Sequence, residues 1–265
     1  MARTFIILGM HKSGTTLLSR ILHHSGIEMV EETIDPDYDQ GNQYERKSTN
    51  SLNKRLLGGQ KQNSSKVRNA IDAKNVEENL KTEAIRLFGE LDGRNCDWGF
   101  KDPRTCLTYE FLAPLLPRHK VIAIFRDPRA VHRHYIDRNR GKWGIGVSAL
   151  RAWSAYNRLI IEVTKKQNYP ALLVNYDLLM QDDTELHRIE KFTGSKSTDQ
   201  RIASLKRNEN SPGLRFNIDN AISSSLFGTD VLKLFVELCF LRDGQVSSGI
   251  KPDDKYTKAK MEERS

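Results

Sequence analysis

Cysteine is scarce in this chain: Cys96, Cys106 and Cys239 are the whole complement. An odd number without Cys-x-x-Cys spacing argues against a disulfide framework or a zinc site, and predicts a reducing compartment. Long apolar runs are missing too. A spanning helix needs roughly 18 uncharged apolar residues, and the best candidate stretch, Val231 to Leu241, is interrupted by Lys233 and Glu237. The opening run Thr4-Phe-Ile-Ile-Leu8 is too short for the core of a signal peptide. Together these shortages predict a cytoplasmic protein with no membrane span. Internal repeats, low-complexity linkers and a compositional break between domains are also missing.

What is there fits one globular α/β domain over residues 1–265, with a charged C-terminal tail of about 15 residues expected to fray. A hydrophobic content of 38% and a charged content of 29% argue against wholesale disorder. The formal net charge of +8 suits an anionic partner and does not by itself choose among nucleotide, sulfated polymer, nucleic acid and membrane surface.

Short apolar runs alternate with helical patterns. Strands are expected at Thr4–Leu8, Gly99–Lys101, Lys120–Phe125 and Ala171–Asn175. Helices are expected from Thr15 to Ser25, around Asn50–Leu57, from Val76 to Leu91, near Tyr109–Leu116, from Pro128 with Asp127 as its cap, over Val147–Lys166, over Thr184–Phe192 and near Val231–Leu241. Such alternation predicts a parallel sheet flanked by helices on both faces. Ligands bind such sheets beyond the carboxyl ends of the strands, which is where Gly9, Asp102, Arg126 and Tyr176 fall.

The most informative string is Gly9-Met-His-Lys-Ser-Gly-Thr-Thr16. Gly9 and Gly14 stand in the frame Gly-x-x-x-x-Gly after a strand and before a helix, the context of a phosphate-binding loop. Glycines let backbone N–H groups turn inward, and the helix N-terminus adds its positive end. The lysine that normally follows the second glycine is lacking. Thr15 holds that place, Thr16 holds the Ser/Thr place, and the lysine is Lys12, two residues ahead of Gly14.

This displaced lysine resembles the 5′-phosphosulfate loop of sulfotransferases that use 3′-phosphoadenosine 5′-phosphosulfate (PAPS), in particular their bacterial branch. Val121-Ile-Ala-Ile-Phe-Arg126, Trp98-Gly-Phe-Lys-Asp-Pro-Arg104, Leu173-Val-Asn-Tyr176 and Gly41-Asn-Gln-Tyr-Glu45 extend the likeness in the expected order over about residues 5–195. The resemblance implies a P-loop-type fold and a 5′ cradle of Lys12, Ser13, Gly14, Thr15 and Thr16. It implies Arg126 on the 3′-phosphate, with His134 where the family usually has Ser, and Tyr176 near the adenine. Lys12 is the implied catalytic cation, placed where negative charge grows on the leaving phosphate oxygen. No metal is implied. The partners would be PAPS and a hydroxyl- or amine-bearing acceptor drawn into loops 31–70 and 205–230, with no nucleic acid.

The acceptor's proton needs a base. The histidine used by cytosolic animal members is replaced by Asp102-Pro103. Glu45 and Glu32 are the candidates, Glu45 leading and Asp102 third; His11, beside Lys12, is a further residue placed to face the site. Two other functions compete: a P-loop kinase or NTPase using Mg-ATP, with Asp127 as metal-binding carboxylate, and a non-catalytic polyanion binder built on the basic stretch Arg126–Lys142.

Overall fold

The computed structural model describes residues 2–31, 44–59, 69–201 and 214–246. Its centre is a four-stranded parallel sheet, built from β1 (Thr4–Leu8), β2 (Trp98–Lys101), β3 (His119–Phe125) and β4 (Ala171–Asn175), in the order β2-β1-β3-β4. Ile6 stands opposite both Phe100 and Val121, and Phe125 opposite Asn175, so all four carboxyl ends open on one side.

The strands are apolar on both faces, as a sheet covered twice requires. Ile6, Leu8, Val121, Ala123, Phe125 and Leu173 point into one core. That core is completed by α3 (Glu78–Asp92), α4 (Thr105–Leu112), α6 (Ile145–Lys166) and α10 (Val231–Val246). The alternate residues Phe5, Ile7, Ile122, Ile124, Leu172 and Val174 point the other way. There they meet Leu17, Leu18, Ile21 and Leu22 of α1 (Thr15–His24), and Leu186 and Ile189 of α8 (Thr184–Thr193). The fold is thus α/β with helices on both faces.

Most elements lie where periodicity and punctuation put them. α2 (Lys47–Leu56) and α5 (Pro128–Arg138) complete the expected set, and the Asp127 carboxylate caps α5 by accepting from Arg129 N–H at 2.8 Å. Three departures have physical causes. α4 starts at Thr105 rather than near Tyr109, because Asp102 accepts from the Arg104 N–H at 2.9 Å and turns the chain straight off β2. A single turn, α7 (Tyr176–Leu179), follows β4, since the Asn175 side chain accepts from Asp177 and Leu178 N–H groups. Residues 214–227, read from sequence as part of an acceptor loop, form α9 (Leu214–Phe227), in which only Phe216 and Ser223 are buried. The remainder of loops 31–70 and 205–230 is partly outside the described residues, as is the C-terminal tail.

Candidate active site

The chain leaves β1 at Leu8 and enters α1 at Thr15 through two left-handed residues, Lys12 at φ 70° and Gly14 at φ 92°. Gly14 is required there twice over. The left-handed region disfavours a Cβ, and a Cβ on Gly14 would overlap the Tyr176 ring. Gly9 is nearly as confined, with the Ile124 carbonyl 2.9 Å from where its Cβ would stand. α1 has no acid in its first turn and no side-chain cap, so its leading N–H groups present positive potential to the loop.

Two buried polar atoms of the loop, Ser13 Oγ and His11 Nε2, have no hydrogen-bond partner among the described residues. Buried polar groups are normally satisfied, so both fit a cradle that an oxyanion ligand completes. Burial, then the positive field of Lys101, Arg104 and Lys12, pushes His11 down to about 3. The ring is neutral at physiological pH. Lys12 itself is exposed, and its carbonyl faces the Arg126 guanidinium at 3.5 Å.

Arg126 directly follows β3, and its guanidinium lies over the Tyr176 ring at 4.4 Å and 3.7 Å from Asp177. Asp127, the sequence-adjacent acid, is occupied instead by Arg129 at 2.6 Å. Three chain segments from three strand ends therefore converge: Lys12–Thr16 after β1, Arg126 after β3, and Tyr176 after β4. His134 sits on α5, half-buried and edge-on to Tyr135 with centroids 6.1 Å apart.

Glu45 is brought to the same place. Its carboxylate accepts from Lys101 Nζ at 2.9 Å and from Asn50 Nδ2 at 2.5 Å, and the same Lys101 Nζ donates to Thr16 Oγ1 at 3.3 Å. Lys101 belongs to this cluster, and motif reading passed it over. It is 1% exposed at the end of β2, a buried cation beside the phosphate loop, and only its place in the string 98–104 hinted at it. Burial raises Glu45 above the ordinary carboxylate range, Lys101 draws it down, and the nearby Asp102 pushes it up again; desolvation prevails.

Asp102 is fully buried and engaged by Arg104 Nε at 2.9 Å and Asn53 Nδ2 at 3.1 Å, so its oxygens hold the turn after β2. Glu32 lies outside the described residues. Its neighbour Glu31 accepts from the Lys47 N–H at 3.1 Å and so sits at the start of α2. The Cys106 thiol is pushed up to about 12 by burial, far from thiolate chemistry.

The sheet, the glycine loop and the cations at its mouth define an α/β protein with positive charge gathered beyond its strand ends. Residues 4–199 match the model of the sulfotransferase family. The match spans more than half of the chain, and the protein belongs to that family. Among solved structures it is similar to the "Sulfotransferase Domain from the Curacin Biosynthetic Pathway", at 17% identity and a TM-score of 0.51, with 83% of each chain covered. It is also similar to the "Sulfotransferase Domain from the Synechococcus PCC 7002 Olefin Synthase", at 17% identity and a TM-score of 0.49, covering 92% of this chain and 94% of that one. At these identities the first likeness speaks for the fold alone. No curated protein sequence matches the chain.

Proposed function

We propose that the chain moves the sulfuryl group of PAPS to a hydroxyl or amine acceptor, in line and without a metal, leaving adenosine 3′,5′-bisphosphate. The observation that carries this reading is the convergence at the loop mouth: Arg126 reaches the Lys12 carbonyl while lying over Tyr176, and Lys101 links Thr16 to Glu45. A nucleotide with phosphates at both ends of its ribose needs two anchors, and this reading assigns them to the Lys12–Thr16 loop and to Arg126.

In this reading Ser13, Gly14, Thr15 and Thr16 hold the 5′ group with backbone and hydroxyl donors, and Lys12 is the cation that meets charge developing on the leaving oxygen. Arg126 holds the 3′-phosphate with its planar fork, His134 adds a ring N–H, and Tyr176 takes the adenine side. PAPS supplies an activated sulfuryl group, which carries less charge than a phosphoryl group and so needs no metal to neutralise it. Glu45 takes the acceptor's proton. Its raised pKa makes it a stronger base, and Lys101 keeps a share of it ionised. The protein acts as a single domain in the cytoplasm, with its free thiols reduced.

Mass spectrometry across a panel of carbohydrate, lipid, amine and phenol acceptors tests the proposal. The expected result is the gain of one sulfuryl group on an acceptor, dependent on PAPS, retained with chelator, and abolished in Lys12→Ala. Transfer of phosphate from Mg-ATP with no response to PAPS would overturn it.

A further inference from the structure

α6 runs antiparallel to the strands. Trp153 Nε1 donates to the Arg126 carbonyl at 3.0 Å, level with the carboxyl end of β3, while the Pro170 carbonyl just past the far end of α6 meets the start of β3 through Val121 N–H at 2.8 Å. The segment from Ile145 to Trp153, eight helical steps, thus reaches about 12 Å beyond the strand ends. α9 is fastened to this projecting part and to the neighbouring α5. His132 Nε2 lies 2.8 Å from Asp219 Oδ2, the Phe216 ring is edge-on to His132 at 5.4 Å, and Arg151 covers Phe227 at 3.6 Å. The α5–α6 loop ends within two residues of Gly146, whose backbone abuts Asp219. α9 and this loop therefore share the rim on the side of the sheet where the anion loop lies.

That rim is apolar where it faces water. Leu214, Ile218, Ile222 and Leu226 recur every four residues and form an exposed row along α9, with Leu214 at 76% and Leu226 at 69% exposure. Such a row runs about 18 Å. In the adjoining loop Trp143 is 99% exposed, carried between the left-handed Gly141 and Gly144. Around them the charges are mostly of one sign: among the described residues Arg138, Arg140, Lys142 and Arg215 are all exposed, against the exposed acids Asp137 and, just past the end of α9, Asp230, since Asp219 is held by His132. Contiguous apolar surface of this kind marks a contact site. An aliphatic row flanked by tryptophan and framed by arginine and lysine is the composition that partitions into a lipid headgroup boundary.

We propose that the α9 face and the Trp143 loop form a peripheral docking surface for an anionic lipid bilayer. The apolar row and the indole enter the acyl boundary, the basic residues sit among the phosphates, and the mouth of the sheet is turned toward the membrane. The basic charge alone would suit any polyanion; the exposed Leu, Ile and Trp side chains select lipid, because they gain nothing from a phosphate backbone. This inference is independent of the sulfuryl-transfer reading.

The test is co-sedimentation of the full chain with vesicles of phosphatidylcholine alone, or of phosphatidylcholine and phosphatidylglycerol in equal parts. The expected result is pelleting with the anionic vesicles and a blue shift of tryptophan emission. Trp98 and Trp153 are fully buried, so the shift reports Trp143. Arg140→Gln and Lys142→Gln should each weaken vesicle partitioning about fivefold. Trp143→Ala combined with Leu214→Ser should weaken it about tenfold or more, with unchanged far-UV circular dichroism because both side chains are exposed. Failure to pellet with anionic vesicles, or pelleting undiminished in these variants, overturns the proposal. So does a dimer in sedimentation velocity that Leu214→Ser dissolves, which would make the row a contact between two copies.

Discussion

Burial lifts the Glu45 carboxyl while the Lys101 ammonium at 2.9 Å pulls it back, and the net rise means that the lost hydration outweighs the ion pair. A base works only when deprotonated, so kcat/KM should climb with pH through a pKa above the ordinary carboxylate value. Glu45→Gln should remove that acidic limb and lower kcat by about 10²–10⁴ with donor binding retained. Lys101→Met, by taking away the cation, should move the limb to higher pH; a pH–rate profile of the three proteins checks both. His11, whose pKa is shifted the opposite way, gives a stability prediction. Its folded pKa of about 3 lies below the unfolded 6.5, so the unfolded chain binds the extra proton between those values. The neutral ring's contribution is therefore whole above pH 6.5 and lost as pH falls toward 3, with a slope of up to about 1.4 kcal/mol per pH unit. Urea titrations of the parent and His11→Asn across that window should show the slope reduced in the variant. At this scale Lys12, Arg126 and Glu45 were legible because each sits in a local string. Lys101 was not: its meaning depends on Glu45, 56 residues away in sequence, and no local pattern announces a buried lysine.

Strands and their ends were readable because burial on both faces makes them continuous apolar runs, and the turn residues Gly9, Asp102 and Asp127 stop them where the backbone changes course. α9 was hidden for the complementary reason. Its buried face is narrow and partly polar, Phe216 with Ser223 and the His132-bonded Asp219, while its larger apolar residues face outward, so the usual inward periodicity is missing. Three glycines test these element-level contacts. Gly14→Ala meets both the left-handed backbone and the Tyr176 ring, and should lower stability by about 1–3 kcal/mol. Gly146→Ala would drive a methyl group into Asp219 and toward His132, prising α9 from α5 and α6 at a similar cost of about 1–3 kcal/mol. Gly89→Ala in α3 has open space and an ordinary helical backbone, and should instead stabilise by about 0.5–1 kcal/mol. Thermal melts of the three variants should rank in that sense, and Gly14→Ala alone should also weaken binding of adenosine 3′,5′-bisphosphate.

For the whole molecule, the assignment of two phosphate anchors makes a prediction that no single contact does. A ligand that binds only the folded state at about a hundred times its Kd adds roughly 2.7 kcal/mol, and a chain of this size gains about 2–4 °C per kcal/mol. Adenosine 3′,5′-bisphosphate should therefore raise Tm by about 5–10 °C, and Mg-ATP, which lacks the 3′-phosphate, should not match it. The comparison becomes sharper with Arg126→Ala. If its guanidinium, held over Tyr176 at 4.4 Å, grips the 3′ group, the variant loses about ten- to a hundredfold in affinity for the bisphosphate. Its affinity for adenosine 5′-monophosphate, which has only the 5′ group, should hardly change. Lys12→Ala should weaken both nucleotides, because the loop meets the phosphate they share. Isothermal titration of two nucleotides against two variants thus assigns each phosphate to its anchor. Equal losses for both nucleotides in Arg126→Ala would place the guanidinium on the 5′ side instead, where its contact with the Lys12 carbonyl already brings it near.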